Sequence, residues 1–184
     1  MTQEERSGFS YRIMQANPTE LIVILFEMAE CYIAQAEEDY KNLVGMEGFS
    51  SYQEQVKERM DCYEKAEIRE AINDFRHSID LAENVLHELN HSLDLKYSLS
   101  VNLMQIYLAI LNNLRAASNQ ISGELLSRDR KMLARLRGAF AAIAKEDQRG
   151  PVMRNTQTVY AGLTYGRGTL NETLDHDINR GFCV

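Results

Sequence analysis

The stretch that decides the fold reads NPTELIVILFEMAECYIAQAEEDYKNL over residues 17–43. Its first residues form a helix start signal, because Asn17 can cap the first turn and Pro18 suits the first helical position. Glu20 stands where its side chain can close a capping box. Apolar residues then recur at helical spacing: Leu21, Ile22, Leu25, Met28, Ala29, Tyr32, Ile33, Ala36, Tyr40 and Leu43. The stretch is therefore predicted to form a long amphipathic helix.

The helical period resumes after a break at Gly45 and Gly48 and continues from about Ser51 to Leu93 without glycine or proline. One helix over that stretch would be ~63 Å long at about 1.5 Å per residue, whereas the first helix spans only ~39 Å. The excess cannot all lie alongside the first helix. We therefore expect a break or bend near residues 64–67, which leaves an extra short helix before the long one.

Two more amphipathic segments complete the helical part of the chain. The third helix is predicted from about Ser98 to Asn119, and its apolar residues cover well over half of the circumference. The fourth is predicted from about Ser127 or Arg128 to Lys145, with a single apolar stripe. Long helices with short connections predict an antiparallel arrangement.

The composition supports an all-α fold. The only prolines are Pro18 and Pro151, and a proline inside a helix costs ~3 kcal/mol. We expect an antiparallel four-helix bundle with an extra short helix or helical extension near residues 50–66 and a non-helical C-terminal tail. The predicted domains are a helical bundle over residues 1–147, which includes an N-terminal arm at 1–16, and a tail rich in Gly, Thr and Asn over 148–184.

The net charge of −7 argues against nucleic acid as a partner, since a grip on phosphate backbones needs clustered positive charge. The one basic cluster follows a helical pattern without interleaved aromatic residues and is interpreted as a solvated face: Arg128, Arg130, Lys131, Arg135 and Arg137.

The chain is expected to be cytoplasmic and not inserted in a membrane. Its N-terminus lacks the apolar core of a signal peptide, and its longest apolar run, Leu21 to Phe26, is far shorter than the ~20 residues that cross a bilayer. Three cysteines without CxxC spacing indicate neither a disulfide framework nor a zinc site.

An HExxH motif, His87-Glu88-Leu89-Asn90-His91, matches the zincin signature, in which both histidines bind zinc. On the helical wheel, however, the histidines fall on the polar side, and the metzincin continuation with a third histidine is absent after the motif. Glu88 and His91 also form an ExxH of the di-iron type, but no second copy exists. A zinc hydrolase is therefore rejected, and no catalytic residue, metal or cofactor is expected.

The first and third helices have more apolar residues than a single buried stripe needs. The extra residues are Val23, Ile24 and Cys31 in the first, and Val101, Ile106 and Leu108 in the third. Contiguous exposed apolar surface usually marks a partner site. A central position of the third helix in the bundle would explain most of its width equally well, and both interpretations stay open. The residues alone thus predict a helical binding module.

Four blocks of sequence carry a family resemblance. Tyr11, followed by NPTELI at 17–22 and LFE at 25–27, resembles the opening of the FliS family. Three blocks follow in family order: EL at 88–89 with SLD at 92–94, NL at 102–103 with IY at 106–107, and LRGAF at 136–140.

The chain also departs from the family pattern. Asn17 replaces the usual Ser, Phe140 replaces Trp, and Tyr97-Ser98-Leu99 replaces a double glycine. Residues 44–64 resemble an insertion, and the tail is similar to the YAGLTYG…NRGF ending of some members.

The resemblance implies a cytoplasmic chaperone, not an enzyme, that binds the C-terminal segment of flagellin and prevents its polymerisation before export. Helix-in-groove packing would suit that task. The residues implied in partner binding are Tyr11, Ile22, Leu25, Leu103, Ile106 and Tyr107. Other flagellar export components and a second copy of the chain are further partners that the resemblance allows. The alternative function is a helical oligomeric or adaptor module without a flagellin client.

Both ends of the chain are expected to be non-helical segments that regulate access to the groove. They carry spaced apolar anchors: Phe9, Tyr11, Ile13 and Met14 at one end, and Tyr160, Leu163, Tyr165 and Leu170 at the other. Burial of such side chains contributes ~1.5–3 kcal/mol each, against ~1–2 kcal/mol for ordering each backbone residue. Docking would then be marginal and reversible. Ordinary packing extensions or disordered termini are the alternative.

Overall fold

The computed structural model describes residues 3–57 and 66–153 of the chain. Their regular structure is entirely helical and contains no strand, which confirms the all-α prediction. The helices are α1 (Gln3–Gln15), α2 (Pro18–Gly45), α3 (Phe49–Lys57), α4 (Ala66–His91), α5 (Ser98–Gln120) and α6 (Leu126–Ala144). No helix of the described part has both the length and the apolar character to cross a bilayer.

Helix α2 begins as the sequence predicts. The Asn17 side chain accepts a hydrogen bond from the Glu20 N–H at 2.8 Å, and the Glu20 carboxylate accepts one from the Asn17 N–H at 2.9 Å. This capping box satisfies two backbone N–H groups, and Pro18 at the first position has none to satisfy. The helix ends at Gly45, at the predicted break.

The bundle consists of α2, α4, α5 and α6. Helix α2 packs closely against α4 and α6, and α5 packs mainly against α4 and more loosely against α6. The pairs run antiparallel: α2 residues 27 and 37 contact α6 residues 137 and 130, in reverse order. The largest fully buried side chains come from α2, α3, α4 and α5 and include Phe26, Ile33, Leu43, Phe49, Phe75, Ile79, Leu86, Tyr107, Ile110 and Leu111.

The expected extra short helix is present as α3. Phe49 is buried in the core, and the Gln53 amide donates to the Ile121 carbonyl at 3.2 Å, so α3 also contacts the loop between α5 and α6. In that loop Ile121 adopts a left-handed conformation (φ 50°) that ends α5. The expected break at 64–67 falls largely outside the described residues, and α4 begins at Ala66.

The expectation of a non-helical N-terminal arm is wrong, because residues 3–15 form α1. Helix α1 lies on α2, and Arg12 pairs with Glu27 at 2.6 Å. Ile24, which lies outside the main stripe of α2, is buried next to this end of α1. Part of the excess apolar surface of α2 is thus covered by the chain itself.

The segment after α6 is tied to the start of α2. The Thr19 hydroxyl donates to the Asp147 carboxylate at 2.7 Å, and Arg149 pairs with the same carboxylate at 2.7 Å. These partners hold the pKa of Asp147 well below its usual range. The Val152 N–H then donates to the Ala16 carbonyl at 3.0 Å. Residues 148–153 are non-helical, and the remainder of the predicted tail lies outside the described residues.

Candidate partner-binding groove

A buried polar pair fixes the register between α5 and α6. The Asn113 amide donates to Oδ1 of Asp129 at 2.9 Å. Asp129 is only 1% exposed, and its Oδ2 is buried without a hydrogen-bond partner among the described residues. Burial raises the pKa of the Asp129 carboxyl, and the Asn113 hydrogen bond and the charge of Arg128 act in the opposite direction. The pair marks the closed end of the α5–α6 seam.

Steps of seven residues from this pair place apolar residues opposite one another. Since α5 and α6 are antiparallel, this spacing predicts Ile106 of α5 opposite Leu136 of α6 two helical turns away, and Leu99 opposite Ile143 two turns further. Ile106 and Leu136 are partly buried against the core, whereas Leu99 is 67% and Ile143 is 56% exposed. These four residues define what we call the α5–α6 groove, whose more exposed pair lies at the start of α5 and the end of α6.

The floor near this groove is an aromatic cluster. Phe26 of α2 lies 6.2 Å from the Tyr107 ring and 5.5 Å from the Phe140 ring, between centroids, in tilted arrangements. Burial raises the pKa of Tyr107 to about 12, so its phenol stays neutral at physiological pH. Phe140, where the family pattern has Trp, adds ring area without an N–H group that would need a partner. The floor is therefore apolar and uncharged.

Ion pairs hold α6 to α2 on the side away from the groove. Arg137 lies 2.7 Å from Glu30 and 3.7 Å from Glu27, and Arg130 lies 3.0 Å from Glu37. The Glu30 hydrogen bond raises the pKa of the Arg137 guanidinium further. These pairs are partly buried and repeat at seven-residue spacing, so they fix the face of α6 that borders α2.

The comparison with protein families agrees with this bundle. The model of the family described as flagellar protein FliS matches residues 1–147, which include all six helices. The chain belongs to the FliS family. No curated protein matches the chain. FliS proteins are flagellar export chaperones, soluble and cytoplasmic as a family and generally without enzymatic activity.

The structure of this FliS-family chain separates the six residues that the resemblance implied. Ile106 lines the α5–α6 groove, whereas Leu103 and Tyr107, at 8% and 1% exposure, belong to the core. Ile22 and Leu25 of α2 are partly buried and pack against the core. Tyr11 is 48% exposed on α1.

Three groove residues were missing from the sequence prediction: Leu99, Leu136 and Ile143. Their seven-residue spacing within α5 and α6 was visible in the sequence and could have indicated them. What was not visible is the offset between the helices, which the Asn113–Asp129 hydrogen bond establishes.

The HExxH motif lies on the outer part of α4. Glu88 and His91 are exposed, and His87 is half-buried with its Nε2 3.3 Å from the Arg115 guanidinium. The two histidine rings are 6.3 Å apart. Over the described ranges, no group of three or more His, Cys, Asp or Glu side chains is arranged to hold a metal ion.

Proposed function

We propose that this FliS-family protein binds the C-terminal segment of flagellin in the α5–α6 groove and keeps it from polymerising in the cytoplasm before export. The observation that carries the proposal is the series of facing apolar residues along α5 and α6, whose outermost pair, Leu99 and Ile143, is the most exposed. Apolar surface of this kind, next to an uncharged floor, suits the apolar face of an amphipathic helix.

The physical reason for such a chaperone lies in the client. A flagellin segment that coils with its own copies must have its apolar face covered until release. A fully buried Leu or Ile side chain contributes ~1.5–3 kcal/mol, so the exposed parts of Leu99 and Ile143 leave about 1–2 kcal/mol each for a client to gain. Within the proposal Ile106 contacts the client, and Leu103 and Tyr107 support it from below. If the client also contacts Tyr11, Ile22 and Leu25, it must extend beyond the groove onto α1 and α2.

Calorimetric titration of the full chain with a flagellin C-terminal peptide tests the proposal. Leu99→Asp or Ile143→Asp should weaken binding at least tenfold, because each buries a charge against apolar surface. The matched control is Leu108→Asp, since Leu108 is a 43% exposed leucine on the side of α5 away from the core. Helical circular dichroism should be unchanged in all three variants.

Two results would contradict the assignment. The first is that no flagellin C-terminal peptide binds the intact chain. The second is that Leu108→Asp weakens binding as much as the groove variants do. Absence of peptide binding together with stable self-association would instead favour a helical oligomeric or adaptor module without a flagellin client.

We also propose that the chain ends act as removable covers. Helix α1 is weakly docked: only Phe9, Ile13 and Met14 among its described side chains are partly buried, and the rest are exposed. It lies on α2, with Arg12 and Gln15 beside a cleft of about 430 Å³ that also touches the end of α6. Helix α1 would therefore cover the outer face of α2, and a client that uses this face must displace it.

Deletion of residues 1–14, and separately of 151–184, tests the covers. Each deletion should raise the apparent affinity for a flagellin peptide whose contacts extend from the groove onto the covered face, since a cover lowers it by the fraction of time that this face is closed. Unchanged or weaker binding by both shortened chains, with the bundle still folded, would contradict the cover proposal and leave the groove proposal standing.

A further inference from the structure

Helix α6 carries five basic residues, and the structure divides them into two sets. Arg130 and Arg137 are bound to glutamates of α2. The other three, Arg128, Lys131 and Arg135, make no ion pair with any described residue. Their spacing of three and four residues puts them on one face of the helix. We call this set the basic stripe.

The basic stripe borders the α5–α6 groove. Arg128, Lys131 and Arg135 line an open cleft of about 490 Å³ together with Met132, which also packs against the core. Met132 lies one helical turn from Asp129, which is at the closed end of the groove. It also lies one turn from Leu136, which is in the middle of the groove. Along α6 the basic stripe at 128–135 flanks the closed end of the groove, the apolar groove residues follow at Leu136 and Ile143, and together they extend over ~22 Å.

The charge of the stripe contrasts with that of the protein. The chain has a net charge of −7, yet the three cations of the stripe form no ion pair with a described residue, and the carboxyl groups near them are Glu124 in the cleft and the buried Asp129 beside Arg128. A solvated face would explain isolated cations. Three cations that form no ion pair with a described residue, next to the apolar groove, instead complement a ligand that has an apolar face and acidic residues beside it.

A protein segment fits this surface better than nucleic acid does. Both ligands would meet repulsion from Glu124 and from the net charge of −7, and a phosphate backbone, which carries a charge at every nucleotide, would meet more of it. It would also leave the adjacent apolar groove unused. An amphipathic helix uses both surfaces at once, since its apolar face and its flank lie side by side.

We propose that the basic stripe docks the acidic flank of the amphipathic helix that occupies the α5–α6 groove. The proposal rests on the proposed function of the groove and adds the chemistry of its client: carboxylates spaced three and four residues apart beside an apolar face. The stripe selects such helices and sets their orientation, because exposed charge pairs contribute more to specificity and association rate than to affinity.

Two synthetic helices of about 18 residues, about the length of the surface, test this. They share one apolar face and differ at three flank positions, occupied by Glu in one peptide and by Lys in the other. The full chain should bind the Glu peptide about tenfold more tightly at low salt, and the preference should shrink at high salt. The Arg128→Glu, Lys131→Glu, Arg135→Glu variant should prefer the Lys peptide.

A matched pair of single variants controls for net charge. Lys131→Glu should reduce the preference, whereas Lys41→Glu, at an exposed lysine of α2, should not. If both peptides bind equally and Leu99→Asp weakens both, the stripe proposal is wrong and the groove stands. If neither peptide binds, the groove proposal fails and the stripe proposal with it. Binding of a single-stranded oligonucleotide that the triple variant abolishes would overturn the stripe proposal in favour of nucleic acid.

Discussion

Replacement of Asp129 by asparagine should stabilise the protein at neutral pH. The carboxylate is 1% exposed, and only Oδ1 has a partner, the Asn113 amide at 2.9 Å. Asparagine keeps an acceptor for Asn113 and exchanges the unsatisfied charged oxygen for an unsatisfied neutral group. Burial of an unsatisfied neutral group costs ~1–3 kcal/mol. Burial of an unsatisfied charged group costs more, and we take the difference between the two as ~1–2 kcal/mol.

A smaller effect opposes this gain. Asp129 lies in the first turn of α6, where a negative charge gains ~0.3–1 kcal/mol from the helix dipole. The net stabilisation should therefore be about 0.5–1 kcal/mol. For a chain of this size that corresponds to a rise in Tm of roughly 1–4 °C.

The advantage of the Asp129→Asn variant should depend on pH in a defined direction. Burial raises the pKa of Asp129 above its ordinary value of 3.8 in the folded protein. Between the two pKa values the folded state holds a proton that the unfolded state has released, so the stability of the wild type falls as pH rises. The variant has no such titration. Its advantage should be smallest below pH 3.8, grow as pH rises through the folded pKa, and stay constant above it.

Urea unfolding followed by circular dichroism, at several pH values between about 3 and 7, measures this difference. Asp147→Asn is the matched control with the opposite sign. Arg149 and Thr19 lower the pKa of Asp147, so its contribution is present at neutral pH and lost in acid. Asp147→Asn should therefore destabilise at neutral pH. A variant at Asp129 that is less stable than the wild type at neutral pH, or an advantage that persists unchanged in acid, would refute the argument.

Substitutions at three other places test the helix cap at Asn17, the close approach at Gly123 and the HExxH motif. Asn17→Ala should cost ~1 kcal/mol in urea unfolding, because it removes the helix cap, and Asn17→Gly should cost less. Gly123→Ala should cost ~1–3 kcal/mol, because a Cβ there would overlap the Tyr40 ring, and a smaller side chain at Tyr40 should restore stability. The His87→Ala, His91→Ala variant should match the wild type in zinc content, and stoichiometric zinc that this variant loses would show that the HExxH motif binds metal.

Local signals were enough to predict the main helices. The start of α2 depends on three residues that act within one turn, Asn17, Pro18 and Glu20, and the structure shows the expected reciprocal hydrogen bonds. Breaks at Gly45 and in the Gly123 loop are equally local. Such features need no knowledge of the tertiary structure.

Helix α1 could not be predicted in this way. It has few apolar residues, and these lack a continuous stripe, so the sequence pattern of the arm indicated no helix. Its docking site, however, left a trace in α2, since Val23 and Ile24 lie outside the main stripe and line the cleft beside α1. The extra apolar residues of α2 therefore indicate the docking site of another helix of the same chain, and they do so whether or not an external partner also binds there.

The division of α5 into core and groove depends on its neighbours. Leu103 and Tyr107 belong to a block that resembles FliS, yet both are buried, so bundle packing explains these two positions, whereas Ile106 of the same block belongs to the groove. Leu99 stands where the chain departs from the family pattern, and Ile143 lies beyond the last block. If the groove binds the client, its most exposed contacts therefore come from residues outside the shared blocks. The resemblance would then identify the scaffold, while the choice of client would rest on side chains particular to this chain.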